Sequence, residues 1–212
     1  RLSESFLKGK IYLENAPVWL NELIPADGNK FFVPYPPMPA IFFTPATFFF
    51  KDLFKQQYLA HILGAGVAVL TAKLTLILKK GRKIAVYMAI LSGAGTIIWF
   101  LSSIGSSWYL GQISAAFFLT AALVESFGKK RPFTVGVFLG AAYLSRIQTI
   151  LSLPIFLYLL RDGKKQGYIK FILGMLPFFA FNAFYNFSRF GVFWDKGYTL
   201  IPGVLEEPWY QK

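Results

Sequence analysis

The chain has 212 residues, of which 55% are hydrophobic and 19% aromatic, and its mean hydropathy is +0.49. That excludes a soluble globular domain and fits a polytopic membrane protein. The 22 Lys and Arg against 10 Asp and Glu leave a net charge of +12, and their positions exclude a nucleic-acid footprint. They gather between apolar segments: at Lys79, Lys80, Arg82 and Lys83, at Lys129, Lys130 and Arg131, and at Arg161, Lys164 and Lys165. That is the inner-loop bias of membrane proteins. Without a cysteine, disulfides, thiolate zinc sites and thiol catalysis are excluded as well.

Residues 1–9 put Leu2, Phe6 and Leu7 on one face with Gly9 as a stop, which predicts a short amphipathic helix. The chain opens at Arg1 with no methionine and no basic-then-apolar leader, so it reads as a fragment of a longer protein. From Lys10 to Pro25 the periodicity is poor, Pro17 and Pro25 act as breakers, and Tyr12 and Trp19 are interfacial anchors. A loop is expected there. Asp27-Gly28-Asn29-Lys30 is a turn signature, and Tyr12 or Leu13 would pair with Phe31 to Val33 across it. After Pro34, Pro36, Pro37 and Pro39, the block Met38 to Phe50 has about 13 residues where about 20 are needed to span a bilayer. An in-plane interfacial helix, covered by Phe42, Phe43, Phe48, Phe49 and Phe50, is the expectation.

Spans follow at 57–78, 84–103, 109–127 and 169–187. In the first, Gly64 and Gly66 are close-packing positions, and Lys73 near the basic end snorkels. Glu125 stands beside the Lys129 to Arg131 cluster as a charge partner, and Pro177 predicts a kink in the last span. Residues 133–160 lie between two basic clusters, so the charge bias favours two arms that return to the same side. Each arm, about 14 residues or 21 Å, falls short of the roughly 30 Å core. The turn near Ser145 to Thr149 is then buried in the outer half of the membrane, with Arg146 and Gln148 at its tip. Irregular backbone at that depth is tolerated only along a protein or water-filled cavity, which marks a candidate site. The alternative is an Arg146 that snorkels to the outer headgroups. Charge parity puts residues 1–56 outside.

The expected fold class is therefore all-α, a polytopic transmembrane helix bundle with an outer-face loop carrying amphipathic in-plane helices. Its parts are the loop at 1–56, the bundle at 57–187 including the hairpin at 133–160, and an outer-face tail at 188–212 that contains Arg189, Asp195 and Lys196. His61 has no partner at ligand spacing, so no metal site is expected.

Three stretches together carry a resemblance. They are Arg1-Leu2-Ser3-Glu4, the loop Lys30 to Pro37 with its Pro36-Pro37, and Gly140-Ala141-Ala142-Tyr143-Leu144-Ser145-Arg146. In this order they resemble the Arg-x-x-Glu, the loop ending in Pro-Pro and the hairpin tip of the GT-C fold, polyprenyl-phosphate-sugar-dependent membrane glycosyltransferases. Protein O-mannosyltransferases and lipid A aminoarabinose transferases belong to that family. The chain departs from it at Tyr35, where many relatives carry a charge before Pro-Pro, and in 104–112, which lacks the acid of their second outer loop.

The resemblance implies an integral, multi-pass protein of a bacterial or archaeal plasma membrane. It implies sugar transfer from a polyprenyl-phosphate carrier to an acceptor at the outer face, with no cofactor. It puts the catalytic acid a few residues before Arg1, with Asp27 as a weaker candidate that is equally a turn residue. Arg1, Glu4, Lys30, Tyr35, Arg146, Gln148 and Arg189 would bind substrate, because a sugar phosphate needs cations on its leaving group. A transporter or lipid flippase without transferase activity is the alternative, since it also uses interrupted helices and intramembrane arginine.

Overall fold

Apolar helices pack most closely where small residues let their backbones approach. The computed structural model, which describes residues 1–15, 20, 22–161, 165–203 and 206, is 73% helix and follows that rule. In chain order it contains α1 (Leu2–Leu7), β1 (Leu13–Glu14), β2 (Ile24–Ala26), β3 (Lys30–Phe32), α2 (Met38–Phe50), α3 (Gln56–Ile77), α4 (Arg82–Ala94), α5 (Ile97–Ile104), α6 (Ser107–Phe127), α7 (Pro132–Ser145), α8 (Leu153–Leu159) and α9 (Lys165–Phe190). Three of these, α3, α6 and α9, are long and apolar enough to cross a membrane. The bent pair α4–α5 makes a fourth if it counts as one crossing.

The chain divides into two compact units, a helical unit of 36–39 and 54–179 and a loop unit of 1–35, 40–53 and 180–212. In the helical unit α6 is central. Of its most apolar window 61% is buried, against 28% for α3 and 22% for α9. Gly64 and Gly66 are close-packing positions as expected: a Cβ there would come 2.7 Å from Ser102 Cβ of α5 and 2.6 Å from Phe117 of α6. On the other side of α6, Ala122, Val135, Leu139, Phe156, Phe171 and Met175 form a core shared by α6, α7, α8 and α9.

Here α7 and α9 meet backbone to backbone. A Cβ at Gly136 would fall on the Phe171 carbonyl oxygen, and one at Gly174 on that of Phe133. The basic connections share one end of this unit, since a Cβ at Gly128 would lie 3.2 Å from Ile77 Cδ1 and one at Gly167 would lie 3.7 Å from Pro132 Cγ. At the other end, Gly105 closes α5 in the left-handed region at φ +58°, 2.9 Å by its Cβ position from Gln57 Cα of α3. No other residue satisfies both demands.

Several expectations need correction. The span at 84–103 is two helices bent by 52°. Gly95 ends α4, and the Thr96 hydroxyl accepts from Ile98 N at 3.2 Å while donating to the Ser92 carbonyl at 2.7 Å. A good cap inside an apolar run starts a new helix. The last span extends from Lys165 to Phe190 and continues through Pro177, so Arg189 lies in its final turn and not in a tail.

Residues 10–25 are not all loop. Leu13 pairs with Phe31, as expected, and Glu14 with Lys30, which was expected in the turn; the turn at Asp27 to Asn29 joins β3 to β2. Pro25 sits within β2, an edge strand of the order β1-β3-β2, where its missing N–H breaks no ladder. The readings of Pro17 and Trp19, and of Lys164 and most of the tail beyond Gly203, lie outside the described residues.

The glycine contact predicts that Gly174→Ala, which forces α7 and α9 apart, lowers stability by about 1–3 kcal/mol. Gly167→Ala, with only an ordinary contact in its way, should change it by no more than about 0.5 kcal/mol. Thermal unfolding of both variants in detergent measures the difference.

Candidate functional site

An arginine on an apolar helix has to fill its donors with protein groups or reach water. Arg189, in the last turn of α9, is buried at 8% exposure and does the first. Its Nη1 donates to the Val33 carbonyl at 2.7 Å, Nη2 to Asn186 Oδ1 at 2.7 Å, and Nε to the Tyr185 carbonyl at 3.3 Å. The guanidinium also lies over the rings of Tyr185 and Phe190, 3.8 and 4.5 Å from their centroids.

Asn182, Tyr185, Asn186 and Arg189 recur at helical spacing and are all buried, so α9 ends in a polar stripe. Within it, Tyr185 Oη and Asn186 Nδ2 are fully enclosed and have no hydrogen-bond partner among the described residues. These are donors in want of acceptors, the arrangement that favours an anionic ligand.

The segment bonded to Arg189 is strapped along α9 and the residues after it. Phe32 packs edge-on against Phe190, and Tyr35 edge-on against Tyr198. Between them Gly197 approaches the Pro34 carbonyl so closely that a Cβ would sit 2.8 Å from it. Asp195 Oδ1 accepts from Gly197 N at 2.8 Å and fixes that turn.

Next to this strap opens a cavity of about 580 Å³ whose polar lining includes Asp27, Lys30 and Arg189, with Phe32, Phe190 and Leu200 among its apolar walls. Asp27 and Lys30 are exposed at the ends of the turn into β3. The Lys30 ammonium is 4.8 Å from the centroid of the Tyr12 ring. Beside it the exposed pair Lys10–Glu14, at 2.7 Å, holds the Glu14 carboxyl below its ordinary value through the hydrogen bond from Lys10. The cavity therefore brings together one carboxylate and two cations.

The other expected cation, Arg146, belongs to the helical unit. It follows α7 with an extended backbone, φ −152° and ψ 113°, before a 3-10 turn from Ile147 to Ser152. The break expected between 145 and 149 is therefore present. Arg146 Nη2 donates to the Trp108 carbonyl at 2.9 Å, and the guanidinium lies 4.3 Å from the Trp108 ring centroid. Gly111 makes room for it, since a Cβ there would stand 3.3 Å from Arg146 Nε. Its carbonyl accepts from both the N–H and the hydroxyl of Thr149.

Gln148 is exposed on the 3-10 turn. Arg1 and Glu4 are both exposed at the start of α1, and Tyr35 is half-buried in the strap. Glu125 has the partner foreseen for it, a two-pronged pair with Arg131 at 2.7 and 2.9 Å. His61 is exposed with its Nδ1 2.6 Å from the Gln57 carbonyl oxygen, and among the described residues no cluster suits a metal ion.

Sequence reasoning missed the carbonyls of Val33 and Trp108 as partners, and the role of Tyr185. Polar residues at i, i+4 and i+7 on an apolar helix, at 182, 186 and 189, were the available signal for the stripe. Comparison with protein-family models, with curated proteins and with solved structures returns no match.

Replacing Arg189 by Met should strand the Val33 carbonyl and the Asn186 side chain at a local cost of about 2–3 kcal/mol. Amide exchange at Phe31 to Val33 should accelerate accordingly, while that of α6 stays unchanged.

Proposed function

We propose that the chain is part of a membrane glycosyltransferase that moves a sugar from a polyprenyl-phosphate carrier to an acceptor at the outer membrane face. The reading is carried by the cavity of the loop unit, where Asp27, Lys30 and Arg189 meet apolar walls. As the bond from the anomeric carbon to the phosphate oxygen breaks, negative charge grows on the leaving polyprenyl phosphate, and fixed cations stabilise it. Lys30 and Arg189 serve that purpose in this proposal, and the free donors of Tyr185 and Asn186 lie beside Arg189. A carboxylate takes the proton of the acceptor hydroxyl. Asp27 is the one in this cavity, and the resemblance puts another ahead of Arg1.

A second reading, a transporter or lipid flippase, draws on a different observation. The helical unit holds two interruptions, the 52° bend at Gly95–Thr96 and the break at Arg146, and paired discontinuous helices are a transporter device.

The test uses the full-length protein in proteoliposomes with a labelled polyprenyl-phosphate sugar. Lys30→Ala should lower sugar transfer by about 10²-fold or more, the usual effect of losing one charge-stabilising group. Asp27→Asn distinguishes a proton acceptor from a turn residue, since Asn preserves the turn. Unchanged transfer in Lys30→Ala sinks the phosphate role, and movement of labelled lipid across the bilayer without any sugar transfer favours the second reading. Arg146→Ala tests on its own the substrate-binding role that the resemblance implies for that residue.

A further inference from the structure

The helix α2 has the sequence Met-Pro-Ala-Ile-Phe-Phe-Thr-Pro-Ala-Thr-Phe-Phe-Phe, with Thr44 and Thr47 as its only polar side chains. Each folds back onto its own backbone: Thr44 Oγ1 donates to the Ala40 carbonyl at 2.8 Å and Thr47 Oγ1 to that of Phe43 at 3.2 Å. A helix lying flat at an interface needs one polar face along its length, and α2 has none. Its exposed surface is graded instead. Phe42 and Phe49 are seven residues apart, so they share a face, yet their exposure rises from 40% to 75%. Phe48 and Phe50 add 63% and 54%, and Leu53 beyond the helix reaches 83%. Pro45, between Phe42 and Phe49, is exposed too, so an apolar stripe runs along the helix and is most open at its C-terminal end. Lys51 ends the helix there in the left-handed region, φ +49°, with an exposed side chain.

We propose that the C-terminal end of α2 is an aromatic wedge that enters a lipid leaflet end-on, with Phe48, Phe49, Phe50 and Leu53 among the acyl chains and Lys51 at the phosphates of anionic headgroups. Three aromatic rings and a leucine next to a cation match the layered chemistry of a bilayer interface, where aromatic residues concentrate and lysine bridges to the headgroups. Membrane insertion by this end goes beyond the transferase reading and does not depend on it. It rests only on the chain residing in a membrane.

A chain without cysteine lets single cysteines carry a nitroxide. Labels at Phe42, Phe49 and Leu53, with Val69 of α3 as a reference, are read by collision with oxygen and with an aqueous nickel chelate. The samples are full chains in vesicles of phosphatidylcholine and phosphatidylglycerol. All four positions lie on exposed surface, so folding is preserved. The seven residues from Phe42 to Phe49 cover about 10 Å of axis. An end-on wedge therefore puts the Phe49 and Leu53 labels in the apolar layer, roughly 5–10 Å deep, with Phe42 distinctly shallower.

Equal depth at Phe42 and Phe49 means a flat helix and overturns the wedge. Chelate access at Phe49 and Leu53, or exclusion of both reagents by a covering protein, overturns it too. Should Val69 also prove open to the chelate, the membrane residence on which the wedge rests fails, and the wedge with it. A loss of sugar transfer in any variant bears on the proposed enzyme and leaves this result untouched.

Discussion

The bond from Arg189 to the carbonyl of Val33 joins residues 156 positions apart, and the loop unit is assembled along it. A guanidinium on an apolar helix has a rigid fork of donors and no way to discharge itself, so it must be met by acceptors. Backbone carbonyls and an asparagine side chain meet it here. With Val33 held, Phe32 reaches Phe190, Pro34 lies against Gly197, and Tyr35 reaches Tyr198. The small sheet is carried with the strap, because Phe31 and Phe32 of β3 pair with Leu13 of β1 and with Pro25 and Ile24 of β2. The cavity with Asp27 and Lys30 is a consequence of where that sheet comes to rest.

The helical unit obeys a related constraint. Every interruption of an apolar helix frees backbone groups that have to be satisfied locally. At Thr96 the side chain caps the new helix, and at Arg146 the carbonyl is taken up by Thr149 while the guanidinium takes up that of Trp108. Polar side chains in this chain therefore serve backbone first, and those with capacity left over, at Tyr185 and Asn186, mark where a ligand has something to gain. Glycine supplies the other half of the economy of space: Gly136 and Gly174 let α7 reach α9, and Gly111 lets Arg146 reach α6.

Much of this was legible beforehand for physical reasons. Long apolar runs that end at basic residues define α3 and α6, the Asp-Gly-Asn signature defines the turn into β3, and the shortfall in length between two basic clusters exposes the break near Arg146. Gly64 and Gly66 announced close packing because no other small residue admits a ring or a neighbouring helix so near. Missed were the bend at Gly95, although Ser92-Gly93-Ala94-Gly95-Thr96 interrupts the apolar run with small and polar residues, and the strand containing Pro25, which only an edge position tolerates. The burial of Arg189 escaped notice because charge at the end of a span ordinarily points to water.

By itself the sequence determined that the chain is a mostly helical protein rich in apolar segments, with a turn at Asp27 to Asn29 and a break near Arg146, because hydropathy, helical period and turn chemistry act over a few residues. Only the tertiary structure decided which cations are used up and which stand open. Arg189, Lys30 and Asp27 reach one cavity through pairings between residues far apart in the chain, and no local pattern encodes the carbonyl at the far end of such a bond. The exposed end of α2 was decided the same way, since a run of phenylalanine does not reveal which of its rings the fold will cover.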